Sequence, residues 1–297
     1  MPAFKHSGDP NRSDGPTVRR SVGTLYIVAT PLGNLEDLTA RAARVLREVP
    51  VVAAEDTRRA RKLLSHLDAH PRLVSYHAHS DDGRANALIE VLLNGEDVAL
   101  VSDAGTPAVS DPGAVLVQAV RNAGISVVPV AGPSAVAAAV SASGIAGDRF
   151  LFLGFLPRKG PERARLLRQT AASEWTVVFY EAPHRLRELL SDLVEAMGDG
   201  RRATVARELT KVHEELRAGT LAELAAHWSN TEPRGECTVV VEGTGPTPEV
   251  AADPDLARKL ARDLLEAGRS RKEIARDLAE RTGLSRNEAY RLVMELA

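Results

Sequence analysis

The stretch VALVSDAGTPAVSDPG, residues 98–113, decides the fold class of this chain. It opens with an apolar run, Val98–Val101, which has the length and composition of a buried parallel strand. A loop of small residues, prolines and two acids follows directly. Gly105 and Gly113 allow the backbone to turn tightly or to approach another molecule. Because ligands bind beyond the carboxyl ends of strands in open α/β sheets, the stretch predicts a strand that ends at a ligand-binding loop. An ordinary βα turn is the alternative interpretation.

Patterns typical of strands and of helices alternate on both sides of this stretch. The predicted strands are residues 24–29, 51–54, 73–76, 98–101, 127–130, 149–156, 176–180, 202–207 and 236–242. The predicted helices are residues 37–48, 58–67, 84–94, 115–123, 161–172, 183–196 and 221–228. Such alternation predicts the α/β class, with a parallel, doubly wound sheet followed by a second α/β domain.

Composition divides the chain into five segments. They are a disordered tail over residues 1–22, an N-terminal α/β domain over 23–131, a C-terminal α/β domain over 132–243, a linker over 244–254 and a helical extension over 255–297. The extension contains three amphipathic helices, over residues 255–267, 271–282 and 285–296, with helix-turn-helix-like spacing. Its ten Lys or Arg against eight Asp or Glu favour a small packing or RNA-contacting module over a DNA reader.

The overall composition excludes several classes of protein. A formal net charge of −2 over 297 residues rules out a uniformly basic nucleic-acid binder, but it permits local basic patches. The single cysteine, Cys237, allows neither an internal disulfide nor a cysteine-based zinc site, and its apolar surroundings predict a buried thiol. Because no run of signal-peptide or membrane-spanning character is present, we expect a cytoplasmic protein.

The segment TPLGN, residues 30–34, lies between a predicted strand and a predicted helix, where nucleotide cofactors meet α/β sheets. It matches neither the GxGxxG pattern of dinucleotide-binding proteins nor the GxxxxGK[ST] pattern of P-loop proteins. Three further strand ends carry polar clusters, at residues 55–57, 181–185 and 207–211. Each cluster alone is typical of solvated charges, but together they can surround one small-molecule cleft.

Two basic runs near loops suit a polyanion, although such runs are also typical of solvated surfaces. The first is Arg58, Arg59, Arg61 and Lys62, and the second is Arg158, Lys159, Arg163, Arg165 and Arg168. His77 and His79 alternate along an extended segment, but the sequence offers no third ligand beside them. We therefore predict no metal site.

Seven segments resemble, in order, the bacterial ribosomal RNA small subunit methyltransferase I family of the tetrapyrrole methylase superfamily. They are TLYIVATPLGNLEDLTARA, VAAEDTRRARKLL, ALVSDAGTPAVSDPG, VPVAGPSAVAAAVSASG, FLFLGFLPRKG, VFYEAPHRL and VARELTKVHEE, and the resemblance extends over about residues 23–243. The resemblance implies two α/β domains with S-adenosylmethionine in the cleft between them, and a homodimer. It further implies methylation of the ribose 2′-hydroxyl of a cytidine in the decoding region of 16S rRNA, within the small ribosomal subunit.

Carried over position by position, the resemblance also implies site residues. The expected cofactor contacts are Pro31, Leu32, Asp103, Ala104, Gly105, Thr106, Ser134, Tyr180, Glu181, Ala182, Arg207, Glu208, Leu209 and Thr238. Because a ribose hydroxyl is a poor nucleophile, a general base is expected, and the candidates are Glu181, Glu208 and Lys211. The expected RNA contacts are Arg58, Arg59, Arg61, Lys62, Arg158, Lys159, Arg163 and Arg165.

Two other functions remain open at this point. A methylase of the same superfamily could act on a tetrapyrrole such as a precorrin, or on a side chain of an elongation factor, and would not need the basic runs. A ligand-responsive regulator would instead bind nucleic acid through the helical extension and use the α/β domains to sense a metabolite.

Overall fold

The computed structural model describes residues 21–77, 82–231, 233–245, 254–267, 269–282, 284 and 286–296. Contacts within the chain define two compact units. The first takes the residues up to Ala138 together with Glu208–Glu214, and the second takes Ala139–Arg207 and the residues from Glu215 onward. The domain limits expected from sequence, 23–131 and 132–243, stay a prediction.

The first unit is a parallel, doubly wound α/β sheet. Its elements are β1 (Leu25–Val28), α1 (Ala40–Glu48), β2 (Val51–Ala54), α2 (Thr57–His66), β3 (Arg72–Ser75), α3 (Asp82–Leu93), β4 (Val98–Val101), α4 (Ala114–Asn122) and β5 (Val127–Val130). The strand order is β3-β2-β4-β1-β5, and every pairing is parallel. The predicted fold class is confirmed, and a helix, α5 (Ala135–Ala142), follows β5 across the division between the units.

Helices cover both faces of this sheet, which explains why β1, β2, β4 and β5 are continuously apolar. Val52 and Ala54 of β2 pack with α1 and α2 on one face, whereas Val51 and Ala53 pack with α3 and α4 on the other. All four side chains of β4 are buried. The loops at the carboxyl ends of β1, β2, β4 and β5 therefore emerge from one edge of a rigid sheet.

The second unit contains a mixed sheet. Its elements are β6 (Phe150–Phe155), α6 (Pro161–Ala171), β7 (Thr176–Glu181), α7 (Leu186–Met197), β8 (Arg202–Arg207), β9 (Glu215–Thr220), α8 (Leu221–Asn230) and β10 (Cys237–Val241). The order is β6-β7-β10-β8-β9, with β6 and β7 parallel and the other pairs antiparallel. The middle strand β10 is buried along its length, so the prediction of a buried Cys237 thiol is confirmed.

Three helices follow, α9 (Pro254–Glu266), α10 (Arg271–Thr282) and α11 (Arg286–Leu296), as the sequence predicted. They bury a cluster of their own that includes Ile274, Leu278, Ala289 and Val293. Gly268, Gly283 and Ser285 lie outside the described residues. Among the helices of the described residues, none combines the length and apolar character needed to cross a membrane.

Two elements were not predicted, and two helices start later than expected. The missed elements are α5 and β9. The predicted helix over 37–48 begins at Ala40, because residues 35–37 form a 3-10 turn and the Thr39 hydroxyl caps the helix by accepting from the Ala42 N–H. The predicted helix over 183–196 likewise begins at Leu186, after a 3-10 turn over Pro183–Arg185.

Candidate functional site

In the first unit, the loops after β1 and β4 are fastened to each other. The backbone N–H of Thr30 donates to the carbonyl of Gly105 at 2.8 Å, and the N–H of Gly105 donates back to Thr30 at 2.9 Å. The Thr30 hydroxyl also donates to the Ser102 carbonyl at 3.2 Å. The expected cofactor residues of 31–32 and 103–106 are thus brought together where two neighbouring strands end.

Gly105 makes this close approach possible. Its φ is +78°, which side chains of L-residues rarely adopt, and a Cβ there would lie 3.3 Å from Leu32 Cδ2. The prediction that Gly105 and Gly113 shape the loop is confirmed, since Gly113 has a φ of +139°. The next hydroxyl, on Thr106, donates to the carbonyl of Pro133 at 3.1 Å. This bond brings in a third loop, the one that carries Ser134.

The carboxylate of Asp103 is held by the turn after β2. Its Oδ1 accepts from the Asp56 N–H at 3.1 Å, and its Oδ2 lies 3.3 Å from Nη1 of Arg59. Glu55 is half-buried nearby, and its pKa is raised by burial and then by the charges of Asp103 and Asp111. The acidic cluster after β2 and the loop after β4 therefore form one polar edge of the first unit.

The segment 208–214 packs on the loop after β1. The N–H of Asn34 donates to the Thr210 hydroxyl at 3.1 Å, and a Cβ on Gly33 would overlap the Lys211 side chain. Lys211 Nζ lies 2.8 Å from Glu208 Oε1, so two of the three candidate bases form an ion pair with each other. Glu208 has a φ of +51°, an unfavourable backbone conformation that the surrounding contacts must maintain.

The third candidate base, Glu181, is buried at the end of β7. Its side chain is 1% exposed; Oε1 accepts from the Ala182 N–H at 2.9 Å and lies 3.3 Å from Arg185 Nε. Oε2 has no hydrogen-bond partner among the described residues. Burial raises the pKa of this carboxyl group, against the opposing effects of the Ala182 N–H and Arg185. Glu181 Oε2 is thus a buried carboxylate oxygen without a hydrogen-bond partner in the part of the chain that the structure describes.

The remaining expected cofactor residues of the second unit lie on adjacent strands. Glu181 of β7, Cys237 of β10 and Arg207 of β8 form one row across the sheet, and the next row pairs Tyr180 with Thr238. Arg207 Nε donates to Glu215 Oε2 at 2.6 Å, so its guanidinium is already engaged. The sheet therefore brings these predicted residues together, although they are far apart in sequence.

The first basic run is partly neutralised. Arg58 pairs with Asp56 at 2.7 Å, which lowers the pKa of that carboxyl group, and Arg59 pairs with Asp103. Arg61 and Lys62 are exposed on α2.

Of the two histidines singled out in the sequence, His77 is half-buried and His79 lies outside the described residues. Within the described ranges, no group of three His, Cys, Asp or Glu side chains is placed to hold a metal ion.

The second basic run divides into buried and exposed members. Arg163 is only 6% exposed, and its guanidinium bonds Asp192 at 2.6 Å and the Pro157 carbonyl at 2.9 Å. This side chain holds α6 to α7, and we no longer include it among the expected RNA contacts. Arg165 pairs with Glu162 at 2.6 Å on the surface. Arg158, Lys159 and Arg168 are exposed and border a concavity of about 460 Å³.

Arg185 belongs to the polar cluster predicted over residues 181–185, but it was not among the expected cofactor contacts or candidate bases. It stands four positions after Glu181, its Nε approaches the carboxylate, and its Nη2 donates to the Leu156 carbonyl at 2.8 Å. An acid and an arginine four residues apart could have indicated the pair, but a 3-10 turn rather than an α-helix connects them.

Comparison with known proteins places this arrangement in a family. Residues 24–225 match the model of the tetrapyrrole (corrin/porphyrin) methylases. The ribosomal RNA small subunit methyltransferase I of Synechocystis sp. is 45% identical over 93% of this chain and 99% of its own length. Those of Pseudomonas aeruginosa and Escherichia coli O157:H7 are 46% and 43% identical, each over 93% of this chain and over 98% and 96% of their own lengths.

Solved structures share the fold at lower identity. A cobalt precorrin-4 methyltransferase superposes with a TM-score of 0.60 and 17% identity, over 77% of this chain and 98% of its own. A uroporphyrin-III C-methyltransferase from Thermus thermophilus, complexed with S-adenosyl homocysteine, gives 0.56 and 22%, over 74% and 97%. The chain thus has the fold of these proteins, and the family match identifies it as a methylase. Within that class, the chain belongs to the ribosomal RNA small subunit methyltransferase I family.

Proposed function

We propose that this methyltransferase transfers a methyl group to the ribose 2′-hydroxyl of a cytidine in the decoding region of 16S rRNA. The observation that carries the proposal is the identity of 43–46% with relatives named ribosomal RNA small subunit methyltransferase I, of which the chain covers nearly the full length. We further propose that the substrate is the rRNA within the small ribosomal subunit, and that the enzyme acts as a homodimer.

S-adenosylmethionine is the cofactor, and it supplies an electrophilic methyl group on a positively charged sulfur. The residues present fit such a ligand. The backbone hydrogen bonds between Thr30 and Gly105 hold the loops after β1 and β4 together, and Glu181 Oε2 is a buried acceptor without a hydrogen-bond partner among the described residues. An unpaired buried acceptor costs stability, so a donor from a ligand is its natural partner.

We propose the following cofactor contacts, grouped by the loops that carry them. The first unit contributes Pro31, Leu32, Asp103, Ala104, Gly105, Thr106, Ser134, Glu208 and Leu209, and the second contributes Tyr180, Glu181, Ala182, Arg207 and Thr238. Within this set, Glu181 binds and orients the cofactor rather than acting as the base, because its side chain is buried and a hydroxyl of a large RNA must reach the base.

Glu208 is our preferred general base. Its side chain is 19% exposed, and Lys211 holds the carboxylate at 2.8 Å. Glu208 would accept the proton of the ribose hydroxyl as the oxygen becomes a nucleophile, while Lys211 fixes the position of the carboxylate.

We propose that RNA phosphates are contacted by the exposed cations Arg61, Lys62, Arg158 and Lys159. Weaker contributions come from the paired Arg58, Arg59 and Arg165.

The test is to incubate the protein with radiolabelled S-adenosylmethionine and small ribosomal subunits from cells that lack the activity, and to map the label. We expect label on the ribose of a decoding-region cytidine. Glu208→Gln should lose at least about tenfold in kcat, and this loss should exceed any loss of affinity for the cofactor. Glu214→Gln, on the same segment, is the matched control and should retain most of the activity.

Two results would contradict the proposal in different ways. Label on a base, or at another site of the RNA, would overturn the reaction or the position. No label on subunits or RNA, despite measurable cofactor binding, would overturn the substrate and would favour a tetrapyrrole methylase. Full activity of Glu208→Gln would remove Glu208 as the base without affecting the substrate assignment.

A further inference from the structure

The helices α10 and α11 carry an exposed surface that the proposed chemistry does not use. Arg271, Lys272 and Arg276 of α10 and Tyr290 of α11 border a concavity of about 830 Å³. All four side chains are exposed, and Tyr290 is 49% exposed. Lys272 and Arg276 are four residues apart and so lie on one side of α10. We refer to these four residues as the α10–α11 face.

Positive charge dominates this face. Glu273 is the acidic residue that borders the concavity, and its carboxylate accepts from the N–H and hydroxyl of Ser270 at the start of α10. These bonds lower its pKa. Asp277 pairs with Arg269 at 2.7 Å and lies 3.9 Å from Arg276. Three cations therefore lie beside two carboxylates, Glu273 and Asp277, and the positive charge in excess complements a polyanion.

The aromatic ring on this face is not needed for the helical core. That core is closed by fully buried side chains such as Ile274, Leu278 and Val293. Tyr290 and Met294, which is 48% exposed, instead lie one turn apart on the outside of α11. An exposed aromatic ring beside cations is the arrangement with which proteins bind single-stranded nucleic acid, because the ring stacks on an unpaired base and the cations neutralise phosphates.

We propose that the α10–α11 face binds a single-stranded segment of the substrate RNA. This inference rests on the proposed function for the identity of the RNA, but not for the binding itself. It assigns the extension a role in holding the substrate rather than in catalysis. Changes on the face should therefore raise KM for the small ribosomal subunit and leave kcat unchanged at saturating substrate.

The test measures binding of a fluorescent single-stranded RNA of about 12 nucleotides to the full chain by anisotropy. The variant Arg271→Gln/Lys272→Gln should bind the RNA about tenfold more weakly than wild type. The slope of the logarithm of the binding constant against the logarithm of the salt concentration should become less steep by about 1.4, or about 0.7 for each lost phosphate contact. The matched control is Lys259→Gln/Arg262→Gln, which removes the same charge from exposed positions of α9 and should bind like wild type.

The aromatic contribution is tested separately. Tyr290→Leu should weaken binding about tenfold, whereas Tyr290→Phe, which keeps the stacking surface, should not. The circular dichroism signal of the helices verifies that the extension of each variant is folded, and calorimetric titration with S-adenosylmethionine verifies that its cofactor site is intact. If wild type binds this RNA but transfers no methyl group to small subunits, the proposed function fails and the binding surface stands.

Three results would overturn the inference. They are unchanged RNA affinity in the α10 double variant, equal loss in the α9 control, and absence of RNA binding by wild type. A change in sedimentation of the α10 variant, without a change in RNA affinity, would assign the face to contact between two copies of this chain instead.

Discussion

At the scale of single residues, the buried carboxyl group of Glu181 makes stability depend on pH. Burial raises its pKa above the ordinary value of 4.5, so the folded protein holds this proton more tightly than the unfolded chain. The stabilisation that protonated Glu181 contributes is therefore present in full below about pH 4.5 and is lost as the pH rises through the raised pKa. Glu181→Gln removes the titration. We expect the melting temperature of Glu181→Gln, minus that of wild type, to increase as the pH rises from about 4.5 to the raised pKa. Above that pH the difference should stay constant.

Thermal unfolding followed from about pH 4 to about pH 8 provides the measurement. Glu195→Gln, at an exposed position on α7, is the matched control for the loss of one carboxylate. A difference between Glu181→Gln and wild type that does not change with pH would contradict the expectation. Titration with S-adenosylmethionine at neutral pH separately tests the proposed contact, since loss of a buried acceptor should weaken cofactor binding.

At the scale of elements, one ion pair holds α6 against α7. Arg163 is buried, and Asp192 is its carboxylate partner at 2.6 Å. Because Asp192→Ala leaves the guanidinium buried without a counter-charge, we expect a loss of about 2–4 kcal/mol in the free energy of unfolding, measured by urea denaturation. The expected loss in the free energy of unfolding is smaller than for a fully buried ion pair, because the Asp192 side chain is 28% exposed.

A rescue variant distinguishes the unpaired charge from general damage to the helices. Arg163→Met/Asp192→Leu should recover most of the lost stability, because apolar replacement of both partners avoids a buried charge. Arg165→Ala/Glu162→Ala, which removes the exposed pair of the same helix, should change stability by less than about 1 kcal/mol. A double variant as unstable as Asp192→Ala would show that the ion pair is not the cause.

The elements also show which parts of the fold local sequence determines. The limits of β2, β4, β5, β8 and α10 could be read from residues 51–54, 98–101, 127–130, 202–207 and 271–282, because a buried strand or an amphipathic helix carries its own pattern. The strand β9 could not be read in this way. Its sequence ELRAGT is largely exposed, and it is held by pairing with β8 from Arg202 to Arg207.

The site follows the same division. The loops near Thr30 and Gly105 could be predicted to meet, since both follow parallel strands, and reciprocal hydrogen bonds join them. The burial of Arg163 could not be predicted from its basic surroundings, because Asp192, its partner, lies 29 residues away. The missing partner of Glu181 Oε2 likewise depends on packing rather than on any motif.

At the scale of the whole molecule, the helical extension should be separable from the cofactor site. Side chains of α9, α10 and α11, together with Leu284, form the core of the extension, whereas the two sheets have cores of their own. We expect a chain that ends at residue 253 to keep the circular dichroism signal of the remaining helices and strands, with less helical signal because α9, α10 and α11 are gone, and to bind S-adenosylmethionine within about twofold of wild type. Its affinity for single-stranded RNA should fall at least tenfold, in line with one lost base stack.

Calorimetry with the cofactor and anisotropy with the RNA measure the two effects independently. The full-length Arg271→Gln/Lys272→Gln variant serves as the control, since it removes charge without removing helices. Loss of cofactor affinity on truncation, with preserved secondary structure, would contradict the separation. Unchanged RNA affinity would locate RNA binding on the two sheets and their loops.

The packing of 208–214 on the first unit has a consequence for recombination. The chain leaves the second unit after Arg207, contributes Thr210 and Lys211 to the first, and returns at Glu215. Neither unit is therefore a continuous stretch of sequence. A chimera that exchanged only the first 138 residues with those of a relative would place a foreign loop against a native Lys211. Inheritance of an intact first unit thus requires two separate pieces of the gene, and a functional exchange must carry both.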